Sequence, residues 1–143
     1  DVKLVATQAA DWDASKAHSI ASTIIKQRGD LCGFIGLWDN MDVGIAAAIR
    51  EAGKKDQIKL ISTGGGNKEL GCTNVESGAF SSYVKVDTRD QAKVLASTIQ
   101  VLLQTKPTPG SQPFAVYTEN QILTPDTVAP TSCWTVDQIK AGN

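Results

Sequence analysis

The sequence predicts one α/β domain in which a parallel sheet forms the middle of three layers. Short apolar segments that fit buried strands alternate with longer segments whose apolar residues recur at helical spacing. At 143 residues, the chain has the length of a single domain with a sizeable core. Regular alternation of this kind is typical of crossover units, which pair their strands in parallel.

The clearest unit lies between Cys32 and Gly66. Residues 32–37 are nearly continuously apolar, as expected of a strand buried on both faces, and residues 58–61 supply the next strand. The segment between them has the helical repeat Met41, Ile45, Ala48, Ile49 and Ala52, with Asp39 or Asn40 as the expected cap and Gly53 as the expected stop.

The other elements continue the alternation and favour a Rossmann-like or flavodoxin-like sheet. A helix from Ala14 to about Arg28 begins at Asp13, which can cap it. The remaining predictions are a first strand at Val2–Ala6, a short irregular helix at 67–77 with Leu70 and Val75 inward and Gly78 as its stop, a strand at 80–86, a helix at 88–104, a last strand that begins with residues 114–118, and a tail with an amphipathic piece at 134–139.

Composition excludes some classes of function. The chain is 41% hydrophobic and 20% charged, with a formal net charge of -1. Binding to nucleic acid needs concentrated Lys and Arg, so we expect no nucleic-acid partner. No apolar run reaches the length needed to span a membrane, and no signal peptide begins at Asp1, so we expect a soluble chain.

Three cysteines carry a second set of expectations. Cys32 lies in the apolar strand and is predicted to be a small buried hydrophobe. Cys72 and Cys133 lie in polar, loop-like surroundings and are able to form a disulfide in an oxidising compartment, but sequence leaves open whether they are bonded or free. The spacing of the three fits no zinc or redox motif, so no metal site is expected.

Polar or glycine-rich corners follow three predicted strands, at residues 11–13, 38–40 and 63–67. The first two pair Trp12 with Asp13 and Trp38 with Asp39. Tryptophan faces stack on the C–H patches of sugars, and carboxylates pair with hydroxyls, so these corners favour a sugar site at the carboxyl edge of the sheet. In the alternative interpretation, both aspartates are only helix caps and both tryptophans cover the rim of the core.

Catalytic motifs are not found. The glycine corner at 63–67 lacks the lysine and the spacing of a phosphate loop, so tight turning is the favoured interpretation of its glycines. His18 is the only histidine, and no nucleophile motif accompanies it. We therefore expect a binding protein without a cofactor, and an enzyme of flavodoxin-like fold is the least favoured alternative.

Four segments in order resemble a known family: residues 7–17, residues 34–54, residues 59–65 and residues 81–93. The chain resembles the carboxyl-terminal portion of periplasmic sugar-binding proteins of the ribose-binding type, which deliver solutes to ABC transporters. The likeness runs from about Val2 to Val128 and implies a lobe of a type I periplasmic binding protein. Residues 1–128 would be this lobe and residues 129–143 a tail.

The resemblance also implies roles for site residues. Trp12 falls where an aromatic ring stacks on the sugar, and Asp39 matches an aspartate at the start of the following helix. Trp38 stands where an asparagine is common, Gly64 where an aspartate usually binds two hydroxyls, and Lys85 near a hinge glutamine that touches ligand. Since Trp38 and Gly64 remove hydrogen-bonding groups, a less hydroxylated, larger or modified ligand is expected.

By the same resemblance the chain is a fragment that lacks an amino-terminal lobe and one strand and helix of its own lobe. That strand would lie between residues 2–6 and residues 32–37. The helix at 88–104 would pack on the absent lobe, which leaves Leu95, Ile99 and Leu102 uncovered and predicts association with the missing portion or with a second copy.

The function implied by the family is periplasmic or other extracytoplasmic solute binding. The two lobes of such a protein close about a hinge, and a membrane permease of an ABC transporter recognises the closed state. A ligand-sensing domain of a transcription regulator or receptor shares this fold and is the alternative.

Overall fold

The structure is a computed structural model that describes residues 2–111 and 115–141. Its elements are α1 (Ala14–Gln27), β1 (Gly33–Ile35), α2 (Asp39–Glu51), β2 (Lys59–Gly64), a π-helical turn (Lys68–Cys72), α3 (Thr73–Glu76), β3 (Ser82–Val86), α4 (Thr88–Thr105), β4 (Asn120–Leu123) and α5 (Val136–Lys140). Across these described residues, no helix is both long and apolar enough to cross a membrane.

The strands form one sheet in the order β1-β2-β3-β4. The first three strands pair in parallel, with Phe34 opposite Leu60 and Thr63 opposite Val84, while β4 is antiparallel to β3. The predicted α/β fold class is therefore confirmed, with an antiparallel strand at one edge.

The last strand was predicted in the wrong place. Phe114 lies outside the described residues, and residues 115–118 belong to no strand. The strand forms at β4 instead, where Leu123 is 5% exposed and enters the core, whereas Val116 and Tyr117 do not. Contact with the core, rather than apolar character alone, decides which segment pairs.

The predicted first strand at Val2–Ala6 is also wrong. Residues 2–9 take no regular structure, and Val2 and Leu4 are exposed. A strand needs a neighbour for its N–H and C=O groups, and β1 pairs only with β2, with no strand of the described residues on its other side.

The prediction that the strand at residues 32–37 is buried on both faces is also wrong. The strand is shorter than residues 32–37, and Cys32, Ile35 and Leu37 are all exposed. Its position at the edge of the sheet explains this, because nothing in the described residues covers its outer side.

The core lies on one face of the sheet. Leu60, Tyr83 and Leu123 point toward this face and are buried, whereas Ile35, Ile61 and Ile122 on the opposite face are exposed. Helices α1 and α2 pack tightly together beside it, with the following buried residues: Ala17, Ala21 and Ile25 from α1, and Ile45, Ala48 and Ile49 from α2.

Gly44 permits this close packing. A Cβ atom at Gly44 would lie 1.9 Å from the backbone oxygen of Ala14, so only glycine lets the two helices approach. The amino-terminal ends of α1 and α2 are thereby brought side by side at the carboxyl edge of the sheet.

The helix ends follow sequence signals in part. Asp13 caps α1 as predicted, and Gly53 and Gly78 take the left-handed conformation, with φ values of 65° and 67°. The predicted cap of α2 is wrong, because the N-cap residue is Trp38 and makes no side-chain cap bond, while Asp39 is already helical and buried.

No residue of α4 is buried. Leu95 is 61% exposed, Ile99 48% and Leu102 38%. That this face packs on another lobe stays a prediction.

Candidate functional site

Two tryptophan rings meet at the carboxyl edge of the sheet. The ring centroids of Trp12 and Trp38 are 5.4 Å apart, and the planes are inclined by 74° in an edge-to-face arrangement. Trp12 is 69% exposed, while Trp38 is half-buried. The two rings form two walls of an open aromatic corner.

The helices that follow the two tryptophans position their rings. Trp12 precedes the cap of α1 and Trp38 precedes the first turn of α2, so the packing of the two helices brings the corners together. Asp11 and Trp12 both have positive φ values, 50° and 61°, which are uncommon for residues other than glycine. Such backbone strain is concentrated at functional sites.

Asp13 follows Trp12 directly in the chain and is the N-cap residue of α1. Its Oδ1 accepts a hydrogen bond from the backbone N–H of Lys16 at 2.7 Å and thereby caps α1. The ammonium group of Lys16 also pairs with Asp11. The carboxylate of Asp13 thus has a structural role in the helix cap, and its part in ligand binding stays a prediction.

Asp39 is buried and is not exposed at the carboxyl edge of the sheet. It is 3% exposed, its Oδ2 accepts a hydrogen bond from the Tyr83 hydroxyl at 2.7 Å, and its Oδ1 accepts one from the Asn40 N–H at 2.8 Å. Burial, together with the neighbouring Asp39 carboxylate, raises the pKa of Tyr83 despite the hydrogen bond that its oxygen accepts from the Gly66 N–H. The phenol therefore stays protonated and able to donate.

Gly64 ends β2 directly against this pair. A Cβ atom there would lie 2.1 Å from Oδ2 of Asp39 and 2.6 Å from the Tyr83 oxygen, so no side chain fits. The buried carboxylate and phenol occupy the space that a side chain at position 64 would need. This accounts physically for glycine at a position where, by the family resemblance, aspartate is usual.

Lys85 is turned away from solvent. It is 5% exposed, and its Nζ donates to the backbone oxygen of Ser132 at 2.8 Å and lies 3.3 Å from Oδ2 of Asp87. Its polar end is held by the tail and by the cap of α4. The structure thus brings Trp12, Trp38 and Gly64 together at one edge, with Lys85 on the side of the tail.

Sequence reasoning missed Asp42. This residue is fully buried, and its Oδ2 accepts a hydrogen bond from the Ser62 hydroxyl at 2.6 Å, while Oδ1 has no partner among the described residues. Burial raises the pKa of Asp42 to about 6. A Cβ atom at Gly36 would lie 2.0 Å from Oδ1, so Gly36 is the residue that makes room for it.

The tail adds another residue that sequence reasoning missed. Trp134 lies against the glycine corner, and its indole Nε1 donates to the backbone oxygen of Gly65 at 2.7 Å. Beside it, Cys72 and Cys133 form a disulfide with their Cα atoms 6.0 Å apart. Among the residues that the structure describes, no cluster of His, Cys, Asp and Glu is suited to hold a metal ion.

Comparison with known proteins assigns the fold to a family. Residues 1–107 match the family described as periplasmic binding protein domain. The chain belongs to this family. The fold and the resemblance to periplasmic sugar-binding proteins of the ribose-binding type are thereby confirmed.

Two relatives of this periplasmic binding protein domain illustrate the match. The D-allose-binding periplasmic protein of Escherichia coli (strain K12) is 34% identical over 64 residues, which cover 45% of this chain and 21% of the relative. The D-apiose import binding protein of Paraburkholderia graminis is 26% identical over 106 residues, which cover 68% of this chain and 34% of the relative. The names of both relatives describe binding proteins rather than enzymes.

Solved structures agree on the fold. An arabinose-binding protein from Geobacillus stearothermophilus matches with a TM-score of 0.72 and 25% identity over 87% of this chain and 43% of its own. An ABC transporter solute-binding protein from Agrobacterium vitis with bound D-fucose matches with a TM-score of 0.74 and 19% identity, over 89% of this chain and 42% of its own. The present domain thus spans less than half the length of these proteins.

Proposed function

We propose that this chain supplies one lobe of an extracytoplasmic solute-binding protein that captures a sugar or sugar-like ligand for uptake by an ABC transporter. The observation that carries the proposal is the aromatic corner of Trp12 and Trp38, which stands at the carboxyl edge of the sheet. Open α/β sheets bind ligands at this edge. The names of the relatives, which bind allose, ribose and apiose, support the choice of a sugar.

The geometry of the corner suits a ring-shaped ligand. The exposed face of Trp12 is available for stacking on the C–H patch of a sugar, and the inclined ring of Trp38 covers a second side. Because Asp39 is buried and position 64 has no side chain, this lobe presents few strong hydrogen-bond acceptors there. A ligand that is less hydroxylated, larger or modified is therefore favoured.

Capture requires a second lobe. The exposed apolar face of α4 and the length of the relatives support a partner portion that covers Leu95, Ile99 and Leu102. Closure of the two lobes about the ligand selects one conformation, which a membrane permease then recognises. The protein acts as a binder and not as a catalyst.

The disulfide supports a location outside the cytoplasm. Cys72 and Cys133 are bonded, and such bonds persist in oxidising compartments such as the periplasm. This agrees with the periplasmic location that the name of the allose-binding relative states.

Ligand titration of the full-length protein that carries this domain tests the proposal. D-Allose, D-ribose, L-arabinose and D-fucose are screened by thermal shift, and any hit is titrated calorimetrically. We expect at least one of these sugars, or a deoxy or methylated form of it, to raise the melting temperature, and Trp12→Ala to abolish the shift.

The matched control is Tyr117→Ala, since Tyr117 is an aromatic residue that is 89% exposed and distant in sequence from both corners. It should leave ligand binding unchanged. If no sugar or sugar derivative binds the wild-type protein, or if Trp12→Ala binds as wild type does, the proposed site is wrong.

A further inference from the structure

We propose that Trp134 is a positioning residue of the ligand site, and that the tail around it holds the turn Gly64–Asn67 in the shape that the site needs. The tail segment meant here is residues 129–135, and the Cys72–Cys133 disulfide fastens it. The positioning role rests on the proposed function, because it concerns the same edge of the sheet.

The backbone of the tail adds to the turn like a short strand. The N–H of Trp134 donates to the oxygen of Gly66 at 2.9 Å, and the N–H of Lys68 donates to the oxygen of Trp134 at 2.9 Å. Asn67 and Trp134 form a parallel bridge. The two residues that flank Asn67, at the end of the turn, are therefore tied to one tail residue.

The indole side chain fixes the middle of the turn. Its Nε1 donates to the Gly65 oxygen at 2.7 Å, and the Thr88 hydroxyl donates to the same oxygen at 3.0 Å. A carbonyl that accepts from two directions has little freedom to rotate.

The turn needs such external support because of its composition. Gly64, Gly65 and Gly66 have no side chains with which to restrain themselves, and Gly66 takes the left-handed conformation with φ of 82°. Glycine loses more conformational freedom on folding than any other residue, so three in succession are held only by their neighbours.

The disulfide holds the tail next to the turn. Cys133 precedes Trp134 directly, is 5% exposed, and bonds to Cys72, which is 1% exposed and ends the π-helical turn after Asn67. The bond closes a separation of 61 residues, so the tail stays beside the turn even when its hydrogen bonds open briefly.

When the tail holds the turn in this position, the turn contacts buried groups next to the aromatic corner. The Gly66 N–H donates to the Tyr83 oxygen at 2.9 Å, and Tyr83 donates to Asp39 in the first turn of α2. The neighbouring Thr63 hydroxyl donates to the oxygen of Leu37, the residue before Trp38, at 3.0 Å. A shift of the turn would therefore move the wall that Trp38 provides.

Two variants separate the parts of this arrangement. Trp134→Phe keeps an aromatic ring but removes the Nε1 donor, and Cys72→Ser/Cys133→Ser removes the bond but keeps the tail sequence. Cys32→Ser is the matched control, because Cys32 is an exposed free cysteine outside this region. Each full-length protein is studied by amide hydrogen exchange and by titration with D-allose, D-ribose, L-arabinose, D-fucose and their deoxy and methylated forms, well below its melting temperature.

We expect the amides of Gly66 and Lys68 to exchange faster in both variants. Sugar affinity should fall about two- to tenfold in Trp134→Phe, which corresponds to one lost hydrogen bond, and further in the double cysteine variant. A merely structural role would lower the melting temperature without changing affinity in the folded protein. Cys32→Ser should change neither exchange nor affinity.

Three results would overturn the inference, and they can be told apart. Unchanged exchange at Gly66 and Lys68 would show that the tail does not hold the turn. Faster exchange with unchanged sugar affinity would show that the turn does not shape the site. A wild-type protein that binds neither these sugars nor their derivatives would instead overturn the proposed function, and the positioning role with it.

Discussion

The hydroxyl of Tyr83 donates a hydrogen bond of 2.7 Å to Oδ2 of Asp39, and the two groups together fill the space above Gly64. The same phenol oxygen accepts a bond from the Gly66 N–H. One buried side chain of β3 thereby joins the start of α2 to the turn after β2. The floor of the proposed site depends on this connection.

Removal of the Tyr83 hydroxyl should destabilise the fold. Tyr83→Phe leaves Oδ2 of Asp39 without its donor and the Gly66 N–H without its acceptor, in a region where both are buried. We expect the free energy of unfolding to fall by about 1–3 kcal/mol, as measured by urea denaturation. Tyr117→Phe is the control, since Tyr117 is exposed and should change stability by less than about 0.5 kcal/mol. Equal stability of the two variants would contradict the role of the pair.

A side chain at position 64 should be poorly tolerated. In Gly64→Ala the new methyl group would stand within 2.1 Å of Asp39 Oδ2, so the buried pair must separate. Overpacking of this kind costs roughly 1–3 kcal/mol, measurable as a lower denaturation midpoint. Gly29→Ala is the matched control, because a Cβ atom there meets nothing within 4 Å. Should both alanine variants unfold alike, the packing argument for Gly64 fails.

Stability should depend on pH through Asp42. Burial raises its folded-state pKa from 3.8 to about 6, so between these values the folded state binds more protons than the unfolded state. The contribution of Asp42 to the free energy of unfolding therefore falls as pH rises through this window, by about 2–3 kcal/mol in all.

Asp42→Asn tests this pH dependence. Asparagine still accepts from Ser62 but carries no charge, so the difference in unfolding free energy between the variant and wild type should grow in favour of the variant from pH 4 to pH 6.5. Denaturant unfolding at a series of pH values measures it. Asp126→Asn, at an exposed aspartate, controls for the general loss of charge. Parallel pH curves for Asp42→Asn and wild type would contradict the prediction.

The apolar face of α4 should cause association when this chain is isolated. Leu95, Ile99 and Leu102 are exposed, and the free energy of burying them favours a partner surface. Native mass spectrometry should show the 143-residue chain bound to another copy or to the remainder of its protein, with Leu95→Ser/Ile99→Ser as a monomer. Val136→Ser, which alters an exposed apolar residue of α5, should not dissociate it. A stable wild-type monomer would overturn the prediction.

Much of the helical structure followed from sequence because its causes are local. Asp13 caps α1 three residues before the amide that it binds, and the repeat Ala17, Ala21 and Ile25 marks the face that packs. Likewise, α4 begins after Asp87, whose carboxylate accepts from the first amides of the helix. Caps and helical repeats act within one or two turns, so the sequence contains all that they need.

The features that only the tertiary structure decided involve residues that are far apart in the chain. The corner residues Trp12 and Trp38 were suggested by their position after predicted strands, but their distance and inclination come from the packing of α1 on α2. The failure to pair at Val2–Ala6, the reversed direction of β4 and the exposure of β1 depend on which neighbour each segment meets. The sequence of a strand does not by itself specify which neighbour it pairs with.

The sequence alone determined that the chain is an α/β domain with aromatic residues at the carboxyl edge of its sheet, because periodicity, caps and glycine stops are short-range. Tertiary structure decided that Cys72 bonds to Cys133, that Asp39 lies buried under Tyr83, and that Gly64 has no room for a side chain. Each of these depends on groups that are far apart in the sequence and that only folding brings into contact. Because the interior of the protein is close-packed, the position of one such group limits the space for the others.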